Sequence, residues 1–283
     1  MLSLIRAVRL PLLTLAAVSL LSQTRALGFG LTNNNSFALV DPTSQAGMNG
    51  WYVLNSPGHY QNELNQQWFW YRVGNTSGES SIDHLTLASV NVIDPATVTT
   101  TFNDPLGKFS ISIKYSLTGG SATSGAADIS EQISINNISG AALDFHFFQY
   151  SDFNLSGPNP GDFDLISRNP FTGRINQVDQ MNAGSISEVV LSPNASHGET
   201  DVVPFTLNKL NDALPTILDD SKTSASGNVA WALQWDVNIA DGGSFLISKD
   251  KTLQVVYTPE PSTFALFSLG LAAVAVRRRR NAR

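Results

Sequence analysis

The chain of 283 residues contains no cysteine. Without thiols it can form no disulfide, it offers no cysteine nucleophile, and it provides no thiolate ligands for a metal. Its stability must therefore come from packing, assisted at most by a bound cation.

Basic residues are scarce in the body of the chain. Eight of the 17 lysines and arginines lie in residues 1–26 and 259–283, which leaves 9 basic against 22 acidic residues in 27–258. The body therefore carries a net charge of −13. Such a charge excludes nucleic acid and anionic lipid as partners and favours a cation or a neutral polysaccharide.

The sequence also lacks the common catalytic motifs. There is no Gly-X-Ser-X-Gly elbow, no His-Glu-X-X-His helix and no repeat of fixed period. The four histidines are His59, His84, His146 and His197. His146 alternates with Asp144 and Phe148 along a strand, which favours a surface histidine over a general base. We therefore predict no catalytic residue and no enzyme.

The first 26 residues have the pattern of a secretory signal peptide. Arg6 and Arg9 form a positive segment, Leu10–Leu21 is apolar, and Thr24-Arg25-Ala26 places small residues at the cleavage site. We predict export by the Sec route, with cleavage after Ala26.

The last 25 residues combine a Pro259-Glu260-Pro261 break, an apolar run and the cluster Arg277-Arg278-Arg279-Arg280. As a helix, the 14 residues from Thr263 to Val276 would rise about 21 Å, short of the roughly 30 Å hydrocarbon core of a bilayer. The arginines stay in the cytoplasm, which places everything before the helix outside the inner membrane. We predict a short transmembrane helix that tethers an intermediate to that membrane.

This order of tripeptide, short helix and arginine cluster resembles the PEP-CTERM sorting signal of Gram-negative bacteria. The resemblance implies transient recognition by an exosortase, cleavage near Pro259-Glu260-Pro261, and delivery to the cell surface or an extracellular exopolysaccharide matrix. Upstream, the run Trp68-Phe69-Trp70-Tyr71-Arg72 and the strand end Tyr150-Ser151-Asp152 look like those of uncharacterised surface proteins that carry this tail.

Alternation with a period of two dominates residues 27–258 and is typical of half-buried antiparallel strands. It is clearest in Phe109–Leu117 and in Val229–Val237, while Glu131 interrupts the apolar face of Ile129–Ile135. We predict one all-β domain of about ten strands, a two-sheet antiparallel sandwich of jelly-roll type. Pro204–Leu214 is the one segment with helical spacing.

Two groups of side chains are candidates for ligand binding. Trp51, Trp68 and Trp70 would serve either as a platform that stacks on sugars or, alternatively, as core. Asp152, Asp162 and Asp164 flank the loop Gly157–Gly161 and would either bind calcium or cap turns. No other cofactor is expected.

Three functions remain open at this point. The first is a surface or matrix protein without catalytic activity, and the second is a module that binds exopolysaccharide. The third, a secreted glycoside hydrolase, would need a facing pair of carboxylates. The glutamates available for such a pair are Glu63, Glu79, Glu131, Glu188 and Glu199.

Overall fold

A computed structural model describes residues 28–56, 59–155, 161–256 and 267–271. The expected signal peptide, Pro259-Glu260-Pro261 and the cluster Arg277–Arg280 lie outside these residues. Among the described residues, no helix combines the length and apolar character needed to span a bilayer. Residues 267–271, within the expected membrane segment, are helical.

The body of the chain consists almost entirely of strands. In chain order the strands are β1 Phe29–Asn33, β2 Ser36–Asp41, β3 Gly47–Ser56, β4 His59–Asn62, β5 Leu64–Val73, β6 Ser80–Ser81, β7 Thr86–Asp94, β8 Thr97–Asn103, β9 Phe109–Gly119, β10 Ala126–Asn137, β11 Leu143–Phe153, β12 Asp162–Arg168, β13 Ile175–Met181, β14 Ser185–Ser192, β15 His197–Val202, β16 Ser224–Gly227, β17 Val229–Ile239 and β18 Ser244–Gln254. A 3-10 turn spans Ile82–His84, and one short α-helix, α1, spans Phe205–Leu210.

These strands form two sheets. The first has the order β1-β2-β3-β5-β11-β17-β15, with β4 paired to β3 and β6 paired to β5. The second has the order β16-β12-β13-β14-β18-β10-β9-β8-β7. All pairings are antiparallel except a short parallel contact of Gly47 and Met48 in β3 with Gln67 in β5.

The predicted two-sheet antiparallel sandwich is confirmed, but it contains more strands than the alternation indicated. Clear alternation marks only strands that have one face in the core, such as β9, whose odd-numbered residues Phe109 to Gly119 are all buried. β7 lies at the sheet edge and is mostly exposed, while β6 and β16 have two and four residues. Strands of these kinds leave no periodic signal in the sequence.

Aromatic packing fills the space between the sheets. The rings of Phe153 and Trp231 stack at 5.4 Å and 4°, and Phe69 stacks on Phe147 at 5.5 Å. Burying rings of this size contributes several kcal/mol each and replaces the cross-links that the missing cysteines cannot form.

Trp51, Trp68 and Trp70 do not form the exposed platform for sugars that was one of the two predictions for them. Their exposed fractions are 0%, 1% and 0%, so none presents a ring to solvent. Each indole N–H instead donates to an internal partner: Trp51 to Ser36 at 3.0 Å, Trp68 to Ser81 at 3.0 Å and Trp70 to Asn211 at 3.0 Å. These tryptophans belong to the core, the alternative that the sequence left open.

The helix expected at Pro204–Leu214 forms only at Phe205–Leu210. Thr216 folds back and donates from its hydroxyl to the carbonyl of Lys209 at 3.0 Å, which satisfies one of the helix's free carbonyls. The chain from Val203 to Lys222 then runs across the first sheet, a segment we call the cover.

A histidine and aspartate cluster as candidate site

Even-numbered residues of β11 point away from the second sheet. Their odd-numbered neighbour Gln149 donates to Glu188 of β14 at 2.7 Å and so marks the inner face. His146, Phe148 and Tyr150 therefore lie on the outer face of the first sheet, since successive side chains alternate. Strand register sets Arg72 of β5 and Asp236 of β17 on either side of His146.

The cover fills the middle of this outer face. Arg72 donates to the carbonyl of Thr216 at 2.9 Å, and the backbone N–H of Leu218 donates to the Gln234 side chain at 3.0 Å. Arg72 also forms a buried ion pair with Glu79. The side chains beneath are sealed from solvent, including Phe148 at 0% exposure.

Glu199 of β15 holds the cover in place. Its buried carboxylate accepts hydrogen bonds from the Thr206 hydroxyl at 2.8 Å, from the Lys209 ammonium at 2.7 and 2.8 Å, and from the backbone N–H of Asp219 at 2.7 Å. Three separate points of the cover are thus fixed to one carboxylate.

At one end of this face the side chains remain partly open. His146 Nδ1 lies 2.5 Å from Asp236 Oδ1, and His197 Nε2 lies 3.2 Å from Asp236 Oδ2. The side chains of Asp236 and His197 are 30% and 32% exposed, and that of His146 is 9% exposed. Three strands, β11, β17 and β15, therefore bring two imidazoles onto one carboxylate.

The cluster continues toward the surface through His197. Its Nδ1 lies 2.7 Å from Asp220 Oδ2, and the other Asp220 oxygen accepts a hydrogen bond from Arg168 at 2.8 Å. An imidazole donates from both nitrogens only when it is protonated. Carboxylate oxygens lie within 3.2 Å of both ring nitrogens of His197.

Both aspartates remain ionised. Burial raises the pKa of Asp236, but hydrogen bonds from His146 and Gln234 outweigh it and hold the pKa below its usual value. For Asp220, burial is likewise outweighed by hydrogen bonds from Arg168 and His197, so its pKa is lowered. The charge that orients the imidazoles is thus present at neutral pH.

His146 has one ring nitrogen that makes no hydrogen bond within the described part of the chain. Its Nδ1 is hydrogen-bonded to Asp236, whereas its Nε2 has no hydrogen-bond partner among the described residues. The nearest carboxylate, that of Asp144, lies 3.5 Å from Nε2. Nε2 is shielded from solvent, so this nitrogen can exchange a proton only with a group that reaches it inside the fold.

Sequence reasoning missed this cluster. His146 is 7% exposed and lies under other chain segments, so it is not the surface histidine that its alternation with Asp144 predicted. Its partners lie on β15 and β17, and only the strand order brings them together. Nothing in the local pattern around His146, His197 or Asp236 indicates that they meet.

The structure also places the three aspartates expected to bind calcium. Asp152, Asp162 and Asp164 are 2%, 3% and 0% exposed. Burial, together with the charges of Asp162 and Asp152, raises the pKa of Asp164 to about 7, although a hydrogen bond from Thr200 opposes the shift. No set of three acidic or histidine side chains within the described ranges is grouped closely enough to hold a metal ion. Calcium binding stays a prediction.

Comparison with known families decides what the C-terminus is. Residues 258–280 match the family model of the PEP-CTERM protein-sorting motif. The chain carries a PEP-CTERM protein-sorting motif. The motif implies export, processing by an exosortase and sorting to the cell surface. No curated protein matches this PEP-CTERM protein in sequence, and the likeness of its upstream domain to other surface proteins stays a prediction.

The body of the PEP-CTERM protein is similar in fold to several solved structures. A bacterial glucoamylase matches 86% of this chain with a TM-score of 0.55 and 9% identity, although the match covers only 34% of the glucoamylase. A galactose mutarotase related enzyme from Lactobacillus acidophilus matches 81% of this chain and 97% of its own, with a TM-score of 0.52 and 10% identity. A putative aldose 1-epimerase from Escherichia coli K12 matches 82% and 99%, with a TM-score of 0.50 and 12% identity.

These neighbours overturn the expectation that the PEP-CTERM protein is not an enzyme. Its sandwich is similar in fold to the glucoamylase, the galactose mutarotase related enzyme and the putative aldose 1-epimerase. At identities of 9% to 12% the likeness shows the fold alone, so residues and reaction must come from the chain's own geometry.

Proposed function

We propose that the exported domain is a carbohydrate-active enzyme that interconverts the anomers of an aldose at the cluster of His146, Asp236 and His197. The observation that carries the proposal is the pair of imidazoles on one ionised carboxylate, in which Asp236 and His197 are partly exposed and His146 is buried behind them. The fold shared with an aldose 1-epimerase and a galactose mutarotase related enzyme supports the choice of substrate class.

The reaction requires one base and one acid, and the cluster supplies both. His146 Nε2 takes the proton of the anomeric hydroxyl while His197 gives a proton to the ring oxygen, and the bond between C1 and the ring oxygen breaks to leave an open aldehyde. After rotation about the C1–C2 bond the ring closes on the other face, and both protons return. No proton is gained or lost overall, and Asp236 stabilises whichever imidazole is charged.

In this mechanism His197 gives up its contact with Asp236 in order to bind the ring oxygen. Of its two carboxylate contacts, that between Nε2 and Asp236 at 3.2 Å is longer than that between Nδ1 and Asp220 at 2.7 Å. A ligand oxygen therefore replaces the contact to Asp236 more readily, while Asp220 keeps the ring oriented.

Glycoside hydrolysis fits the structure less well. The glutamates that could have formed its carboxylate pair are at most 8% exposed, and four of them take part in buried ion pairs. They are Glu79, Glu131, Glu188 and Glu199. Carboxylates neutralised in this way are not free to act on a glycosidic bond.

For the whole protein, we propose export by the Sec route, tethering in the inner membrane by the C-terminal helix, and release by exosortase into an exopolysaccharide matrix. The matched sorting motif at 258–280 supports this order of events. Aldoses and their polymers are then the substrates available at the destination.

Saturation-transfer NMR of the purified mature protein with glucose, galactose, mannose and xylose tests the enzymatic proposal. We expect interconversion faster than the spontaneous rate for at least one sugar, reduced about 10²-fold to 10⁴-fold in His146→Gln because the base is lost. His84→Gln, at an exposed histidine outside the cluster, is the matched control and should retain full activity. Equal rates of anomer interconversion for the wild type and for His146→Gln would contradict the proposal.

A further inference from the structure

Partly exposed aromatic rings lie on the outer face of the first sheet, at the end away from the histidines. Phe37 of β2 stacks on Tyr52 of β3 with ring centroids 4.3 Å apart and 7° between planes. Tyr60 of β4 packs against Phe37 at 5.6 Å and is itself 50% exposed. In contrast to the buried tryptophans, these three rings reach solvent.

The absence of a side chain at Gly50 leaves space for the ring of Tyr52. A Cβ built on Gly50 would lie 2.8 Å from a ring atom of Tyr52, so a larger residue at position 50 would displace the tyrosine ring from its present position. Cross-strand pairing places Phe37 opposite Tyr52 and Tyr60 opposite Leu54. Leu54 shares a face with Tyr52 because the two residues are two apart on β3.

Leu54 also joins the rings to an open pocket of about 590 Å³. The β1–β2 turn contributes Asn34 and Asn35, and the β9–β10 turn contributes Gly119 to Ala122. This volume lies within the range of about 300–1,000 Å³ that holds small ligands. None of the described residues that line the pocket carries a charge.

We propose that these rings and this pocket together bind a neutral polysaccharide. Flat rings that reach solvent stack on the apolar faces of pyranoses, while amides and hydroxyls such as those of Asn34 and Ser121 pair with sugar hydroxyls. The uncharged lining and the net charge of −13 on residues 27–258 disfavour an acidic polymer. The occupant is therefore a chain of uncharged sugars.

This site is separate from the histidine cluster. In the first sheet β2 and β3 lie on one side of β5 and β11, whereas β17 and β15 lie on the other. A binding site at one end and an acid-base site at the other need not share a ligand. The inference goes beyond the proposed enzymatic function and does not depend on it.

Affinity electrophoresis of the full mature protein in gels that contain laminarin, galactan, mannan or xylan tests the proposal. We expect retardation by at least one of these polymers, with the dissociation constant raised at least tenfold in Tyr60→Ala and in Tyr52→Ala. Tyr60→Phe, which keeps the ring, should bind as the wild type does.

Two controls keep the result specific. Phe171→Ala removes a ring that is 95% exposed in the β12–β13 turn and should leave binding unchanged. His146→Gln should also leave binding unchanged, so that failure of the enzymatic proposal remains distinguishable from failure of this one. Absence of retardation by all four polymers, retardation only by an acidic polymer such as alginate, or unchanged binding in Tyr60→Ala in a protein of unchanged thermal stability would overturn the proposal.

Discussion

Asp164 and Asp236 lie on strands of the same domain, and their surroundings move their pKa values in opposite directions. Asp164 is sealed from water beside two other carboxyl groups and accepts one hydrogen bond, from Thr200 at 2.7 Å. Asp236 is partly open and is hydrogen-bonded to His146 and Gln234. Access to water and the number of donors therefore decide which carboxyl group carries charge at neutral pH.

Asp164→Asn should stabilise the domain at alkaline pH. Burial raises the pKa of Asp164 from 3.8 to about 7, so the folded state binds a proton that the unfolded state has released. The stability it contributes is present below pH 3.8 and is lost as the pH rises through 7, by on the order of 4 kcal/mol at about 1.36 kcal/mol per pH unit. Urea unfolding of both proteins at pH 4 and pH 8 measures the difference.

Asp241→Asn, at an exposed aspartate, is the control and should change stability equally little at both pH values. If Asp164→Asn gains nothing at pH 8 relative to pH 4, then folding does not raise the pKa of Asp164. Bound calcium would have that effect, and millimolar calcium should then stabilise the wild type but not Asp164→Asn at pH 8.

Single side chains also show where sequence reasoning stops. The common position of Asp152, Asp162 and Asp164 could be expected because they flank one loop. His146 and Asp236 are 90 residues apart, and no local pattern records such a contact. Predicting this contact would have required knowing the order and register of their strands in the sheet.

Among the strands, β10, β14 and β18 share a buried ionic cluster between the sheets. Lys249 lies 2.6 Å from Glu131 and 3.1 Å from Glu188, and Lys251 lies 2.7 Å from Glu131. All four side chains are sealed from solvent. Burial alone would raise the pKa of Glu188, but the two ammonium groups lower it to about 2.

Lys249→Met should cost about 3–5 kcal/mol of unfolding free energy, because two buried carboxylates would be left with one cation. Lys114→Met, on the neighbouring strand β9 with a partly exposed side chain, should cost well under 1 kcal/mol. Urea denaturation at pH 7 compares the two. Equal small losses would mean that the cluster is not sealed from water as described.

Part of this cluster was visible in the sequence and part was not. Glu131 breaks the apolar face of its strand, which marks it as an unusual inward charge. Its partner Lys249 follows only from the antiparallel register, in which Glu131 faces Lys249 directly. Similarly, the period of two predicted β9 and β17, whereas the length of α1 depended on how Thr216 folds back over it.

On the scale of the whole molecule, the C-terminal sorting motif is recognised from local sequence, whereas the arrangement of the body depends on contacts between distant strands. The sorting motif is read locally, from prolines, an apolar run and arginines, and residues 258–280 match its family model. The sandwich also follows from a local period. The similarity in fold between the body and a galactose mutarotase related enzyme depends on the order of the strands, which composition and alternation leave undetermined.

Replacing Arg277–Arg280 with glutamine should block processing in a host that carries an exosortase. Without fixed positive charge the short helix no longer has a preferred orientation in the membrane. Mass spectrometry of the surface fraction should find little mature protein, with the intact chain left in membranes. The four-lysine variant keeps the charge and should be processed normally. Normal processing of the glutamine variant would show that the arginines are dispensable for sorting.

The last strand of the domain carries one more consequence. β18 ends at Gln254, just before the sorting motif, and it is inserted between β14 and β10 in the middle of its sheet. Its register with β10 spans eleven residue pairs, from Ala126 with Gln254 to Asn136 with Ser244. A force applied to the C-terminus would therefore act along β18, and the hydrogen bonds of β18 to both β14 and β10 would have to break together. An edge strand, in contrast, would detach one hydrogen bond at a time. The C-terminal end of the domain is therefore mechanically strong.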